Sequence, residues 1–397
     1  MVKDNSKLFI LVFLGMLTAF GPFVTDMYLP SLPGMTLYFH TSLSQVQLGL
    51  TASMVGLAAG QLFFGPLSDK YGRRLPLIVA MVMFLLATLG CLYSASIMQF
   101  VGWRLVQGMA GAGGIVISRS VAADKYAGHD LLKMLAIIGA INGVAPVAAP
   151  IAGGSMTDSV GWQGIFWVLF ALGFFLLLGS MNLRESLPAS RRQHASWKGV
   201  YLGFSEVIHN QRFVCYVLLY AFSQVVLFAN ISSAPFIMQQ HYGFSPMMFS
   251  LCFGINAVSM VVASAMTVRF SHPEIAVLRG SIGMTVVSTV LFIALCLDCN
   301  FWIYESLLVV LLFMLGLTFT ASNTLAMNCE RANAGVASAL LGASGFAFGG
   351  IISPLVGLGN ILTSTGTAFL IGSVCALFFT CIALRRTYAM VRYSKQS

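Results

Sequence analysis

The 397-residue sequence predicts an all-α membrane protein of twelve transmembrane helices in two six-helix halves, and three observations carry that prediction. Hydrophobic residues make up 58% of the chain and charged residues only 8%, with a mean hydropathy of +0.88, so lipid is the solvent for most side chains. Runs of roughly 18 or more mostly apolar residues, each able to cross a hydrocarbon core of about 30 Å, recur along the whole length. All but one of the 21 Lys and Arg fall in alternate connections, at their edges or at the two ends of the chain.

The runs fall at 8–30, 45–67, 75–95, 99–118, 134–156 and 164–183, then at 213–235, 246–268, 279–297, 304–327, 335–358 and 366–384. The first has no small-residue cleavage site after a short core and reads as a retained helix rather than a signal peptide. Between the sixth and seventh lies the longest polar connection, with Arg184, Arg191, Arg192, Lys198 and Arg212; Trp197, Tyr201 and Phe204 at helical spacing suggest a short amphipathic helix over 197–208. The chain divides accordingly into an N-terminal half (1–183), a cytoplasmic linker (184–212) and a C-terminal half with a short basic tail (213–397).

Orientation follows from the basic residues. The connections around 31–44, 96–98, 157–163, 236–245, 298–303 and 359–365 contain no Lys or Arg, whereas the intervening connections and both ends hold them. Basic loops resist translocation, so the basic side is cytoplasmic and both termini are inside. The net charge of +9 is explained by this topology and by anionic lipid head groups, which leaves no need for a nucleic-acid partner. The expected setting is the inner (cytoplasmic) membrane of a bacterium.

The second connection, Gly65-Pro-Leu-Ser-Asp69-Lys-Tyr-Gly72-Arg73-Arg74, packs four charges and two glycines into ten residues between long apolar runs. It reads as a tight charged hinge. Asp69 is expected to meet the positive N-terminal end of the eleventh span and latch the halves, and Arg73 or Arg74 to pair with Asp124. The alternative is that these charges merely anchor the loop.

The one remaining cation, Arg104, lies inside the fourth span, where insertion costs about 3 kcal/mol and calls for a partner or a watery cavity. Asp26, near the far end of the first span, is the only acid well inside the first six. Counting about 1.5 Å per residue puts both at similar depth in the outer half, facing one cavity. Either the two form a pair that only fixes helix packing, or Asp26 is a protonatable carboxylate whose state is switched by access to water or by a bound solute.

These residues carry a family resemblance. The Gly65–Arg74 stretch resembles the loop 2–3 signature of the major facilitator superfamily, and Arg104-Leu-Val-Gln107-Gly108 resembles its fourth-helix signature. Thr25-Asp26-Met-Tyr28-Leu-Pro30 is similar to the first helix of the bicyclomycin-resistance (Bcr/CflA) group of drug/proton antiporters. The resemblance implies the major facilitator fold and proton-coupled efflux, with Asp26 and Arg104 in proton coupling and no cofactor beyond the proton gradient.

The fifth span, Gly139-Ala-Ile-Asn142-Gly143-Val-Ala145-Pro146-Val-Ala-Ala149-Pro150-Ile-Ala-Gly153-Gly154, resembles the antiporter signature of that helix, with Ala145 and Ala149 where the family has glycine. Small residues let helices approach closely and prolines bend them. Gly342-Ala-Ser-Gly345-Phe-Ala-Phe-Gly349-Gly350 with Pro354 stands at the corresponding place in the second half, and paired Gly/Pro-interrupted helices point to a midplane site. Candidate lining residues are Tyr28, Gln61, Asn142, Asn230, Asn256 and Asn323. Tyr28 reads equally as an interfacial belt residue. No acid of the second half is expected to match Asp26, since Asp298 and Glu305 read as solvated outer surface.

Other chemistries fail. Gly111-Ala-Gly113-Gly114 lacks the Gly-Lys-Ser/Thr of a phosphate-binding loop, Cys296-Leu-Asp-Cys299 stands alone, and no Ser/His/Asp order suggests a hydrolase. The expectation is a monomeric multidrug exporter, neither an enzyme nor a metal protein, acting on small, largely apolar compounds with protons and lipids as its other partners. A proton-coupled importer of a sugar, amino acid or other metabolite uses the same architecture, and a non-transporting membrane sensor is the third possibility.

Overall fold

In the computed structural model, residues 5–126, 128–192, 205, 207–330 and 334–394 are described. Helix dominates and no strand occurs among them. The amphipathic helix expected over 197–208 falls almost wholly outside the described residues.

The chain separates into two compact units. One comprises residues 1–196 with 244–254, the other residues 197–243 with 255–397. The first unit contains α1 (Lys7–Asp26), α2 (Leu32–Tyr38), α3 (Leu43–Tyr71), α4 (Arg74–Leu92), α5 (Ile97–Lys125) and α6 (Gly128–Asn182). The second contains α7 (Gln211–Phe236), the greater part of α8 (Pro246–Met266), then α9 (Pro273–Cys296), α10 (Phe301–Cys329), α11 (Ala334–Leu355) and α12 (Ile361–Ser394).

Polar residues mark the helix starts. Ser6, Ser42, Ser96, Asn210, Ser245, Asn300 and Asn360 each turn a side-chain oxygen onto a backbone N–H of the first turn that follows, which satisfies a donor no helical carbonyl reaches. Eleven helices among the described residues are long and apolar enough to cross a membrane. The fifth and sixth expected spans are parts of one of these, α6, whose 55 residues cover about 80 Å at 1.5 Å each and exceed any single crossing. Its interruption is Gly161, at φ 63° and ψ −169°, a backbone conformation a side chain would strain. Within the first expected span, in contrast, the α-helix stops early, although the apolar stretch runs on to Tyr38. Pro30 and Pro33 lack the N–H that would continue the helix, so α1 ends at Asp26 and gives way to a 3-10 turn (Leu29–Ser31) and the short α2.

Within the first unit α3 and α5 touch backbone to backbone. A Cβ at Gly56 would collide with the Leu105 carbonyl, and one at Gly108 with that of Ser53. Membrane helices without a solvent-driven contact gain cohesion from such close approach. The second unit repeats the device, with Gly316 of α10 against the Met260 carbonyl of α8.

Candidate functional site

Asp26 is the last residue of α1 and is 7% exposed. Helix termini leave carbonyls without intrahelical donors and carry the negative end of the dipole. Arg104, wholly buried on α5, answers that end: its Nη2 donates to the Val24 carbonyl at 3.1 Å. Its Nη1 donates to Oε1 of Gln107 at 2.5 Å, Gln107 Nε2 donates to Thr88 Oγ1 at 2.8 Å, and Thr88 donates on to the Phe84 carbonyl at 2.7 Å. One guanidinium therefore ties α5 to α1 and, through Gln107, to α4.

Arg104 does not ion-pair with Asp26. No carboxylate oxygen among the described residues lies within 4.0 Å of its guanidinium. Its plane instead covers the Tyr28 ring, with Cζ 4.4 Å from the ring centre, and stands 5.7 Å from that of Phe166. The expected pair is thus replaced by a cation held on aromatic faces and a helix terminus. Tyr28 is fully buried beneath Arg104 and edge-on to Phe166 at 5.8 Å, so it is neither a belt residue nor an exposed lining residue. Its ring is the floor on which the cation rests.

The Gly-rich part of α6 closes the same corner. A Cβ on Gly153 would fall on the Met27 carbonyl oxygen, immediately after Asp26 in the chain. Gly154 meets the start of α8, at Ser250 Oγ and the Pro246 carbonyl. Pro150 is buried and Pro146 half-buried, while the surroundings of Gly139, Asn142 and Gly143 lie outside what the structure describes.

At the charged end of this unit the hinge is a network built on Arg73. Its Nε donates to Asp124 at 2.9 Å, its Nη1 to Asp69 at 2.5 Å and to Ser68 Oγ at 2.8 Å, with Ser186 donating to Asp124 at 2.9 Å. Burial lowers the Arg73 pKa, the two carboxylates raise it, and the net direction is upward. Of the two arginines, Arg73 takes Asp124, whereas Arg74 donates from Nη2 to the Met181 carbonyl at 2.6 Å. Glu185 accepts from the backbone N–H groups of Arg73 (2.8 Å) and Arg74 (3.2 Å), an anion on the N-terminus of α4. Gly72, at φ 91°, lies against that carboxylate with no room for a Cβ. Gly65 has room, its nearest neighbour being Val116. Asp69 takes its cation from Arg73 within this unit, and the latch expected between Asp69 and the start of the eleventh span would join the two units, each of which is described by itself.

The Major Facilitator Superfamily model matches residues 8–354. This chain belongs to that superfamily. It is 36% identical over 367 residues to an uncharacterized MFS-type transporter, YdgK, of Bacillus subtilis, covering 89% of this chain and 90% of the relative. A bicyclomycin resistance protein homolog of Haemophilus influenzae is 29% identical over 402 residues, 96% of this chain and 98% of the relative. Among solved structures, a partially occluded inward-open xylose transporter of Escherichia coli superimposes with a TM-score of 0.73 at 14% identity, over 96% and 98% of the two chains. The facilitator is therefore an integral, multi-pass transporter of the bacterial inner membrane rather than an enzyme, and its substrates are small molecules.

The remaining lining candidates of this facilitator are divided between the two units. Gln61 is half-buried on α3, Asn323 is exposed on α10, and Asn230 and Asn256 are buried in the second unit on α7 and α8. Gln224, also buried, donates to the Tyr220 hydroxyl at 3.3 Å beside Gly345 of α11, where a Cβ would press on both side chains at 3.0 Å. Cys296 and Cys299 are free thiols. One expectation is overturned: Glu305 is not solvated surface. It is 9% exposed, one turn into α10, and faces Asn256. An acid so close to a helix end reads as surface from sequence alone, because only tertiary packing decides which way that first turn points.

Proposed function

We propose that this facilitator is a drug/proton antiporter, exporting small, largely apolar compounds by alternating access, with Asp26 as the carrier of the proton. The observation that supports it is a buried carboxylate at a helix terminus whose compensating cation is fixed elsewhere. Because Arg104 is held by Val24, Gln107 and Tyr28 and not by Asp26, the carboxylate is free to gain and lose a proton while the helix end keeps its positive neighbour. Proton and substrate then compete: Asp26 takes a proton from the outer side as substrate leaves, access switches, and the proton departs inward as new substrate binds. The relative named a bicyclomycin resistance protein homolog, alike over nearly its whole length, supports an antibiotic as cargo. A monomer suffices for this cycle.

The test begins with a resistance profile of an overexpressing strain against diverse antibiotics and dyes. A dye substrate so identified is then followed in inverted vesicles with an acidified lumen. Asp26→Asn is expected to abolish proton-driven accumulation, a loss of tenfold or more, while dye binding persists. Undiminished transport by that variant would sink the reading. Uncoupler-sensitive uptake of a polar solute into intact cells, with no resistance to any compound, would assign the chain to import instead.

A further inference from the structure

We propose that Glu305 is a second proton-binding site, in the unit that does not contain Asp26, with Asn256 as the group that holds the protonated acid. Both carboxylate oxygens of Glu305 and both side-chain polar atoms of Asn256 are buried and complete no hydrogen bond of ordinary geometry. No Lys, Arg or His among the described residues lies within 4.0 Å of the carboxylate. A bare carboxylate in that setting costs several kcal/mol, whereas a neutral acid has one donor and one acceptor to offer and an amide is its complement in both.

The register of the two helices places the groups together. Parallel α8 and α10 are pinned by Ser259 donating to the Val309 carbonyl at 2.9 Å, by Ser264 donating to the Gly316 carbonyl at 3.4 Å, and by Gly316 against Met260. One turn back from Ser259 and Val309 stand Asn256 and Glu305. Five residues after its Asn300 cap, Glu305 lies about 7.5 Å into the helix. The titratable groups nearby are phenols and one surface pair. Tyr304 adjoins it in sequence, Tyr242, which follows the π turn Ile237–His241 after α7, lies 5.8 Å from the Tyr304 ring, and His241 pairs at 2.9 Å with Asp298 of the α9 to α10 turn. None places a positive charge on the carboxylate, so the cation that fits is the proton.

The site calls for no particular cargo, and its test does not depend on one. Infrared difference spectra of the purified full chain in lipid, recorded between alkaline and acidic pH, report the carbonyl stretch of a buried protonated acid. The expected result is such a band in Asp26→Asn, its loss on adding Glu305→Gln, and a frequency shift in Asn256→Ala. Absence of any buried-acid band in Asp26→Asn overturns the proposal, whether or not the Glu305 variant folds. So does a band that survives Glu305→Gln. Because Asp26→Asn is read here for a band and above for transport, one reading can fail while the other stands.

Discussion

The guanidinium carbon of Arg104 lies 4.4 Å from the centre of the Tyr28 ring, and this stacking, rather than an ion pair with Asp26, is what holds a buried cation in the first unit. A ring face offers negative potential without a proton to exchange, so the cation is fixed independently of Asp26. Such a contact is worth about 1–2 kcal/mol when desolvated. Tyr28→Phe keeps the face and is expected to leave stability and transport near wild type. Tyr28→Leu removes it and is expected to lower stability by about that amount, read as a fall in Tm in detergent. Equal behaviour of the two variants would show that the stacking contributes nothing.

Arg104→Lys tests the fork rather than the charge. Gln107 and the Val24 carbonyl are reached by two different nitrogens, and an ammonium offers one point where the guanidinium offers a planar pair. The variant is expected to retain part of the proton-driven efflux with a displaced pH profile, and Arg104→Ala to lose it. A pH profile identical in wild type and both variants would assign Arg104 to packing alone.

Gly153 makes a sharper prediction, because the obstacle is backbone. A Cβ there would overlap the Met27 carbonyl, and neither group has a rotamer by which to move aside. Gly153→Ala must push α6 off α1 beside Asp26, and a tenfold or greater loss of efflux, or failure to accumulate in the membrane, is expected. Gly111→Ala, where a Cβ meets nothing within 4 Å, is the control and should behave as wild type. Similar expression and flux for both would refute the packing argument.

What sequence reading could and could not reach follows from contrast. Asp26 and Arg104 stand out because a charge inside an apolar run is costly, and the hinge because four charges between two such runs have one place to go. Tyr28 does not stand out among 12 Tyr and 31 Phe, since stacking is a three-dimensional relation between residues 76 positions apart. Glu185 hides in a polar connection where another acid is unremarked, although it caps α4 from more than 100 residues away. The early end of α1 was written in Pro30 and Pro33, but an apolar run that continues through them reads as one span. Gly161 breaks α6 in the same silent way, its left-handed φ having no counterpart in composition.

At the charged end, Arg73 and Glu185 make distinct contributions that a mutant series separates. Arg73 is 7% exposed and satisfies two carboxylates at once, so Arg73→Gln leaves Asp124 and Asp69 short of their cation. Breaking a buried pair from one side costs about 3–5 kcal/mol, and the partial exposure of Asp69 puts the expectation at the lower end. The double variant Arg73→Gln with Asp124→Asn should recover part of that loss, since the anion is removed as well. Glu185→Gln keeps a carbonyl acceptor for the α4 N–H groups and loses only charge, so about 1 kcal/mol is expected. Because folding raises the Arg73 pKa above its ordinary value, its contribution is fully present through neutral pH and is lost only as pH rises past the folded value. Denaturant unfolding of wild type, these three variants and the single variant Asp124→Asn at neutral pH reads these terms directly. Additive losses in the double variant would show that Arg73 and Asp124 act apart, and the hinge would then be an anchor in the head-group layer rather than a cross-linked joint.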